Sequence, residues 1–208
     1  MSKIIYADES YKELDYLTSR VVFCYTEFDS QASVDKAKEV VREKILLDKI
    51  RYSVKGKVHY SSFTPAQKSS ACDTISKLEF RNKLFVRYHH DVGSGRNEAD
   101  YKRQLLRSSL SFMLDKQVSS EDSIYIENAH GVYSESGIDG RGDLIDAEGE
   151  PAFLIPDIIL GVFCDYIDRD SRGQQAETNY KLIREKIRLQ IIESPSYRPR
   201  PLSRDERI

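Results

Sequence analysis

The run Arg20–Thr26, RVVFCYT, constrains the fold more than any other stretch of the chain. It is a near-unbroken row of β-branched and aromatic residues, and such a row reads as a strand buried at the centre of a sheet. A second short run of the same character, Lys3–Ala7 (KIIYA), precedes it. The connection between them is polar and short, so the two are expected to pair as an antiparallel hairpin.

The elements that follow alternate in type. Ser33 is placed to cap a helix running to about Ile50, with Val34, Ala37, Val41, Ile45 and Leu46 at helical spacing. Lys57–Tyr60 (KVHY) reads as a further strand. Thr64 and Gln67 fit a capping box, and Pro65 sits at the first helical position, where its missing N–H costs nothing. That helix carries Ala71, Cys72, Ile75 and Leu78 on one face. Leu84–Tyr88 is the next strand, Asn97 the cap of the next helix, and Ser123–Glu127 another strand. Asn128–Glu150 is polar and Gly-rich and reads as a loop. Pro151–Ile167 reads as a buried helix and Ala176–Ile192 as an amphipathic one. Strands joined through helices are most economically parallel, with right-handed crossovers. The expected fold class is α/β, a mixed sheet with helices on both faces, built as one domain over residues 1–194 with a Pro- and Arg-rich tail at 195–208.

Composition narrows the function classes. A chain of 208 residues can bury a sizeable core without staples, and its three cysteines, Cys24, Cys72 and Cys164, show neither zinc nor disulfide spacing. They read as small apolar residues in a reducing compartment. The first residues hold no apolar stretch of signal-peptide length, and no run approaches a membrane span, so the expected location is cytoplasmic with no membrane partner. The net charge is −2, so a nucleic-acid partner would have to meet a local basic patch or a bound metal. Nothing in the sequence fixes the oligomeric state.

Acidic residues fall at element boundaries. The first strand is read as ending in Asp8-Glu9-Ser10 and the fifth in Glu127-Asn128. If both strands run in one direction, their carboxylates emerge at the rim where open α/β sheets hold ligands. Two carboxylates about 4 Å apart repel by about 4 kcal/mol at an effective dielectric near 20, and a divalent cation reverses that sign. Asp157 opens the apolar helix LIPDIILGVFCDYI, with Asp165 and Asp168 further along the same line. Each acid also has an ordinary reading. Asp8 can cap a turn, Glu127 can end a strand, and Asp157 can complement a helix dipole.

The order IYADES, a strand-like segment containing His59, a late strand ending in an acid, and FLIPDIILG resembles a bacterial and phage family catalogued as a domain of unknown function. That family has an N-terminal D-E-S-G motif and is similar to the ribonuclease H fold. Here Tyr11 follows D-E-S in place of Gly, Pro156 precedes Asp157 in place of a small residue, Glu127 stands where Asp is usual, and Lys57 stands where an acid is usual. The resemblance implies a metal-dependent phosphodiesterase using Mg2+ or Mn2+. Asp8 and Asp157 would be metal ligands, with Glu127 or Asp91 as the third. His59 would assist proton transfer or product release, or would simply be a half-buried strand residue. It also implies a context in mobile elements or phage defence. The competing reading is a catalytically silent ribonuclease-H-like module that binds a protein or a nucleic acid.

Other motifs carry less. Gly93-Ser94-Gly95 lacks the third Gly of a dinucleotide loop and the Lys of a P-loop. The Asp139–Glu150 stretch has Arg141 and Leu144 where a calcium loop needs an oxygen donor and a Gly. His89-His90-Asp91 has no third metal partner fixed by spacing. The basic residues of the last helix and tail are diluted by Glu177, Glu185 and Glu193.

Overall fold

The structure is a computed structural model that describes residues 2–15, 18–46, 58–90, 98–127, 142–145, 150–168 and 173–192. Strand β1 (Ile4–Asp15) pairs antiparallel with β2 (Thr18–Phe28) along almost its whole length, with Ile4 opposite Phe28 and Lys12 opposite Arg20. Helix α1 (Gln31–Val40) continues into a π-helical turn, Val41–Leu46. A 3-10 turn, Tyr60–Ser62, precedes α2 (Pro65–Ser76) and β3 (Arg81–His90). Then come α3 (Glu98–Gln117), β4 (Ser123–Glu127), β5 (Asp143–Ile145), a 3-10 turn (Pro151–Phe153) and α4 (Leu154–Ile167). The chain closes with α5 (Gly173–Ile183), another 3-10 turn (Arg184–Lys186) and β6 (Ile187–Ile192). One six-stranded sheet results, in the order β5-β4-β1-β2-β3-β6. β1 and β4, β4 and β5, and β3 and β6 are parallel.

Period-two alternation divides the core between the two faces of this sheet. Tyr6, Val22, Cys24, Leu84 and Val86 point to one face and pack with residues of α1, α2, α4 and α5. Ile5, Ala7, Val21, Phe23, Tyr25 and Phe85 point to the other, against Leu105, Leu106, Leu110, Met113 and Leu114 of α3. The continuous apolar character of β2 follows from this, because it is buried on both sides.

Several sequence expectations need correction. The α1 cap is Ser30, whose hydroxyl accepts from the Ser33 N–H, because the backbone is still extended at Ser30 and turns helical from Gln31. The expected strand at Lys57–Tyr60 is absent from Val58 onward: His59 is extended, but Tyr60 begins a 3-10 turn. The helix expected over Ala176–Ile192 stops at Ile183, and the β-branched run after it pairs with the open edge of β3. Part of the expected Asn128–Glu150 loop, Asp143–Ile145, is an edge strand. β3 is antiparallel to β2 despite the helical connection. Two successive helices bring the chain back to the end of the sheet it left, so Arg81 lies opposite Glu27. The capping box at Thr64 and Gln67 is present as expected. Asn97, Asp91, the Gly93-Ser94-Gly95 segment and the tail lie outside the described residues.

Two contacts fix α4 on the sheet. At its C-terminal end Asp168 receives Arg20 through both terminal nitrogens (2.8 and 3.1 Å) and Lys12 Nζ at 2.8 Å. Arg20 and Lys12 are cross-strand partners on β2 and β1, so one carboxylate clamps the hairpin to the helix. Midway along α4, the Tyr60 ring lies directly on Gly161, where an added Cβ would overlap the ring. Only a residue without Cβ allows the 3-10 turn to approach the helix this closely.

Both contacts are testable by urea unfolding. The Arg20 and Lys12 bonds hold the Asp168 carboxyl below its usual range against the opposing effect of burial. Asp168→Asn should cost about 2 kcal/mol at pH 7, less than for a fully dry pair because Asp168 is 24 % exposed. A carboxyl whose pKa is lowered by folding contributes stability above its unfolded pKa and loses it as pH falls through the folded value. The gap between parent and variant should therefore narrow as pH falls below the ordinary Asp range, and a gap constant with pH would contradict the ion-pair assignment. Gly161→Ala should destabilise by about 1–3 kcal/mol through overpacking against Tyr60.

Candidate active site

Asp8 is not at the end of β1, which runs on to Asp15. It lies level with Glu127, the last described residue of β4, and beyond it β1 and β2 run on as a hairpin arm. Ala7 pairs with Ile126, so the parallel register brings Glu127 level with Asp8. Ala7 and Ile126 both face α3, so alternation turns Asp8 and Glu127 to the α4 face. Both are largely buried, Asp8 at 8 % exposure and Glu127 at 3 %.

Asp157 reaches the same region from α4. The helix begins at Leu154 after the 3-10 turn, so Pro156 falls within the first turn, where a backbone N–H has no intrahelical partner. Eight residues of α4 are buried. Of its less buried positions, 157, 161, 164, 165 and 168 follow helical spacing and form one stripe. The first four of these line a cleft of 320 Å³ whose opposite wall is Asp8, Glu9 and Ser10. Tyr60, Ser61, Lys68 and Leu160 complete it.

Backbone amides orient the two facing carboxylates. Asp8 Oδ1 accepts from the Glu9 N–H at 2.8 Å, and Asp157 Oδ2 accepts from the Tyr60 N–H at 2.6 Å. His59 Nδ1 stands 3.8 Å from Asp157 Oδ1, and the imidazole is half exposed. Cys24, opposite Asp8 in the β1–β2 register, registers both acids. Burial first, and then the negative charges of Asp8 and Asp157, push its thiol well above the usual range. Lys68 Nζ is bound to Asp165 Oδ2 at 2.7 Å and lies 4.2 Å from the centroid of the Tyr60 ring.

The structure therefore brings Asp8 and Asp157 to one cleft, with His59 beside Asp157 and Glu127 beside Asp8 in the sheet. Glu127 does not line the cleft. Among the described residues, no three His, Cys, Asp or Glu side chains are grouped so as to hold a metal. Lys68, Tyr60 and Gly161 were not anticipated from sequence. Lys68 had a legible signal: it shares helical spacing with Ala71, Cys72 and Ile75, so a cation sits on an otherwise apolar face. Tyr60 and Gly161 had none, because their contact depends on how a turn lands on a helix. Among the described residues no helix is long and apolar enough to cross a membrane.

No protein-family model matches the chain, and no curated protein matches it. Among solved structures, it is similar to the ribonuclease H2 of Pyrococcus horikoshii OT3, with 12% identity, a TM-score of 0.50, and coverage of 84% of this chain and 78% of that one. A ribonuclease HII from Archaeoglobus fulgidus, solved in complex with PCNA, aligns at 11% identity and a TM-score of 0.42 over 97% of this chain and 98% of that one. The mixed sheet with helices on both faces is thus a ribonuclease-H-like fold.

Proposed function

We propose that the protein is a divalent-metal-dependent nuclease that hydrolyses phosphodiester bonds of nucleic acid at the Asp8–Asp157 cleft. The observation that carries this reading is the meeting of two acids far apart in the chain, Asp8 and Asp157, across one cleft. They meet at a sheet rim of a ribonuclease-H-like fold. The donors are hard oxygens, which suit Mg2+ or Mn2+, and magnesium commonly takes one or two protein carboxylates together with waters and substrate phosphates. Orientation of each carboxylate by a backbone amide is the support that metal ligands ordinarily have. Asp8 and Asp157 would hold the ion. Glu127 is level with Asp8 but does not line the cleft, so Asp91, outside the described residues, would be the further ligand.

Such an ion supplies an activated water and stabilises charge on the leaving oxygen. The remaining work falls to the chain. Lys68, on the cleft wall, is paired with Asp165 at 2.7 Å and holds that wall in place. His59, half exposed beside Asp157, is placed to exchange a proton between the site and solvent. The silent-module reading draws support from the lack, among the described residues, of any group of three metal-holding side chains.

Cleavage of labelled DNA, RNA and hybrid strands in Mn2+ decides between them. Asp8→Asn and Asp157→Asn should each lower cleavage by at least about a hundredfold with unfolding midpoints unchanged. Weaker Mn2+ binding in calorimetry should accompany that loss. Parent protein inert on every substrate, or variants as active as the parent, would leave the silent module.

A further inference from the structure

A second cavity, of 430 Å³, adjoins the cleft. The two share Ser61, Lys68 and Asp165, so the Lys68–Asp165 ion pair is the wall between them. Phe63, Pro65 and Ala176 give the second cavity apolar sides. Gln175 and Asn179 give it an amide edge. Asn179 is only 2 % exposed, and its amide oxygen accepts from Ser69 Oγ at 2.9 Å and from Gln175 Nε2 at 3.1 Å. The edge is thus held rigid by a network between α2 and α5.

We propose that this cavity is a nucleobase pocket that takes one unpaired base next to the phosphate held in the Asp8–Asp157 cleft, so that the preferred substrate is a strand with an extruded or single-stranded nucleotide. This rests on the proposed nuclease reading for the neighbouring phosphate. The chemistry is that of a base: a flat apolar body for the Phe63, Pro65 and Ala176 walls, and donors and acceptors on its edge for two carboxamides. The shared wall places that base one step from the cleft, and Lys68 belongs to both. A base stacked and paired in a duplex cannot enter, because the pocket admits it only after it leaves the stack.

The test is fluorescence anisotropy of a labelled single-stranded oligonucleotide in metal-free buffer. Ala176→Phe fills the pocket, and Gln175→Ala removes half of its amide edge at an exposed position. Each should weaken single-strand binding by about tenfold, the scale of one lost base contact. One abasic residue in the oligonucleotide should weaken binding to the parent equally and make no further difference to Ala176→Phe. A duplex of the same sequence should bind parent and variants alike. Single-strand binding unchanged in both variants, at unchanged unfolding midpoints, overturns the pocket. A nucleoside monophosphate that competes as well as the whole strand overturns the strand assignment in favour of a free nucleotide. Mn2+ calorimetry of the parent, run without nucleic acid, tests the carboxylates separately, so failure of either reading is visible without the other.

Discussion

The burial of α4 on the β1–β2 hairpin is the constraint from which the site follows. Its apolar residues Ile155, Ile158, Ile159 and Val162 are fully buried, and each such side chain contributes about 1.5–3 kcal/mol relative to exposure. A helix so fixed has little freedom to rotate. Its less buried stripe, from Asp157 to Asp168, must then run along the sheet rim. Asp168 closes the far end of that stripe on Arg20 and Lys12, which sets the helix position along the hairpin arm. The turn at Tyr60 fits against Gly161 and delivers a backbone N–H to Asp157. The geometry at residue 157 is thus a consequence of packing over the whole length of the helix.

Several buried and half-buried acids are paired with cations. Asp168 meets Arg20 and Lys12, Asp165 meets Lys68, and Glu27 meets Lys3 and Lys83 at 2.8 and 2.7 Å on the opposite rim of the sheet. The two lysines hold the Glu27 carboxyl below its usual range even though burial opposes this. These acids join elements together, and a cation neutralises each. At the cleft, Asp8 Oδ1 and Asp157 Oδ2 each accept from a backbone N–H, of Glu9 and Tyr60 respectively, which fixes the direction of each carboxylate.

Much of the fold was legible in local pattern. RVVFCYT is a central strand because β-branched and aromatic residues on both parities satisfy two buried faces at once. Thr64-Pro65-Ala66-Gln67 starts a helix because its hydrogen bonds close within four residues. The last helix was overextended, because residues 187–192 carry a pattern that helix and strand can share, and the open edge of β3 decided between them. KVHY failed as a strand because Tyr60 is drawn into a turn against α4.

For the site, the sequence by itself determined which acids stand at element boundaries: Asp8 in the first strand, Glu127 at the end of another, Asp157 in the first turn of an apolar helix. Local chemistry sets those positions, through strand composition, turn residues and a helix-starting Pro. Only the tertiary structure decided that Asp8 and Asp157 face one cleft, that Glu127 stays beside it in the sheet, and that Lys68 and Asp165 divide that cleft from a second cavity. The register of β1 on β4 and the rotation of α4 on the sheet fix those relations. Both are set by the summed burial of residues far apart in the chain, which no local stretch of sequence encodes.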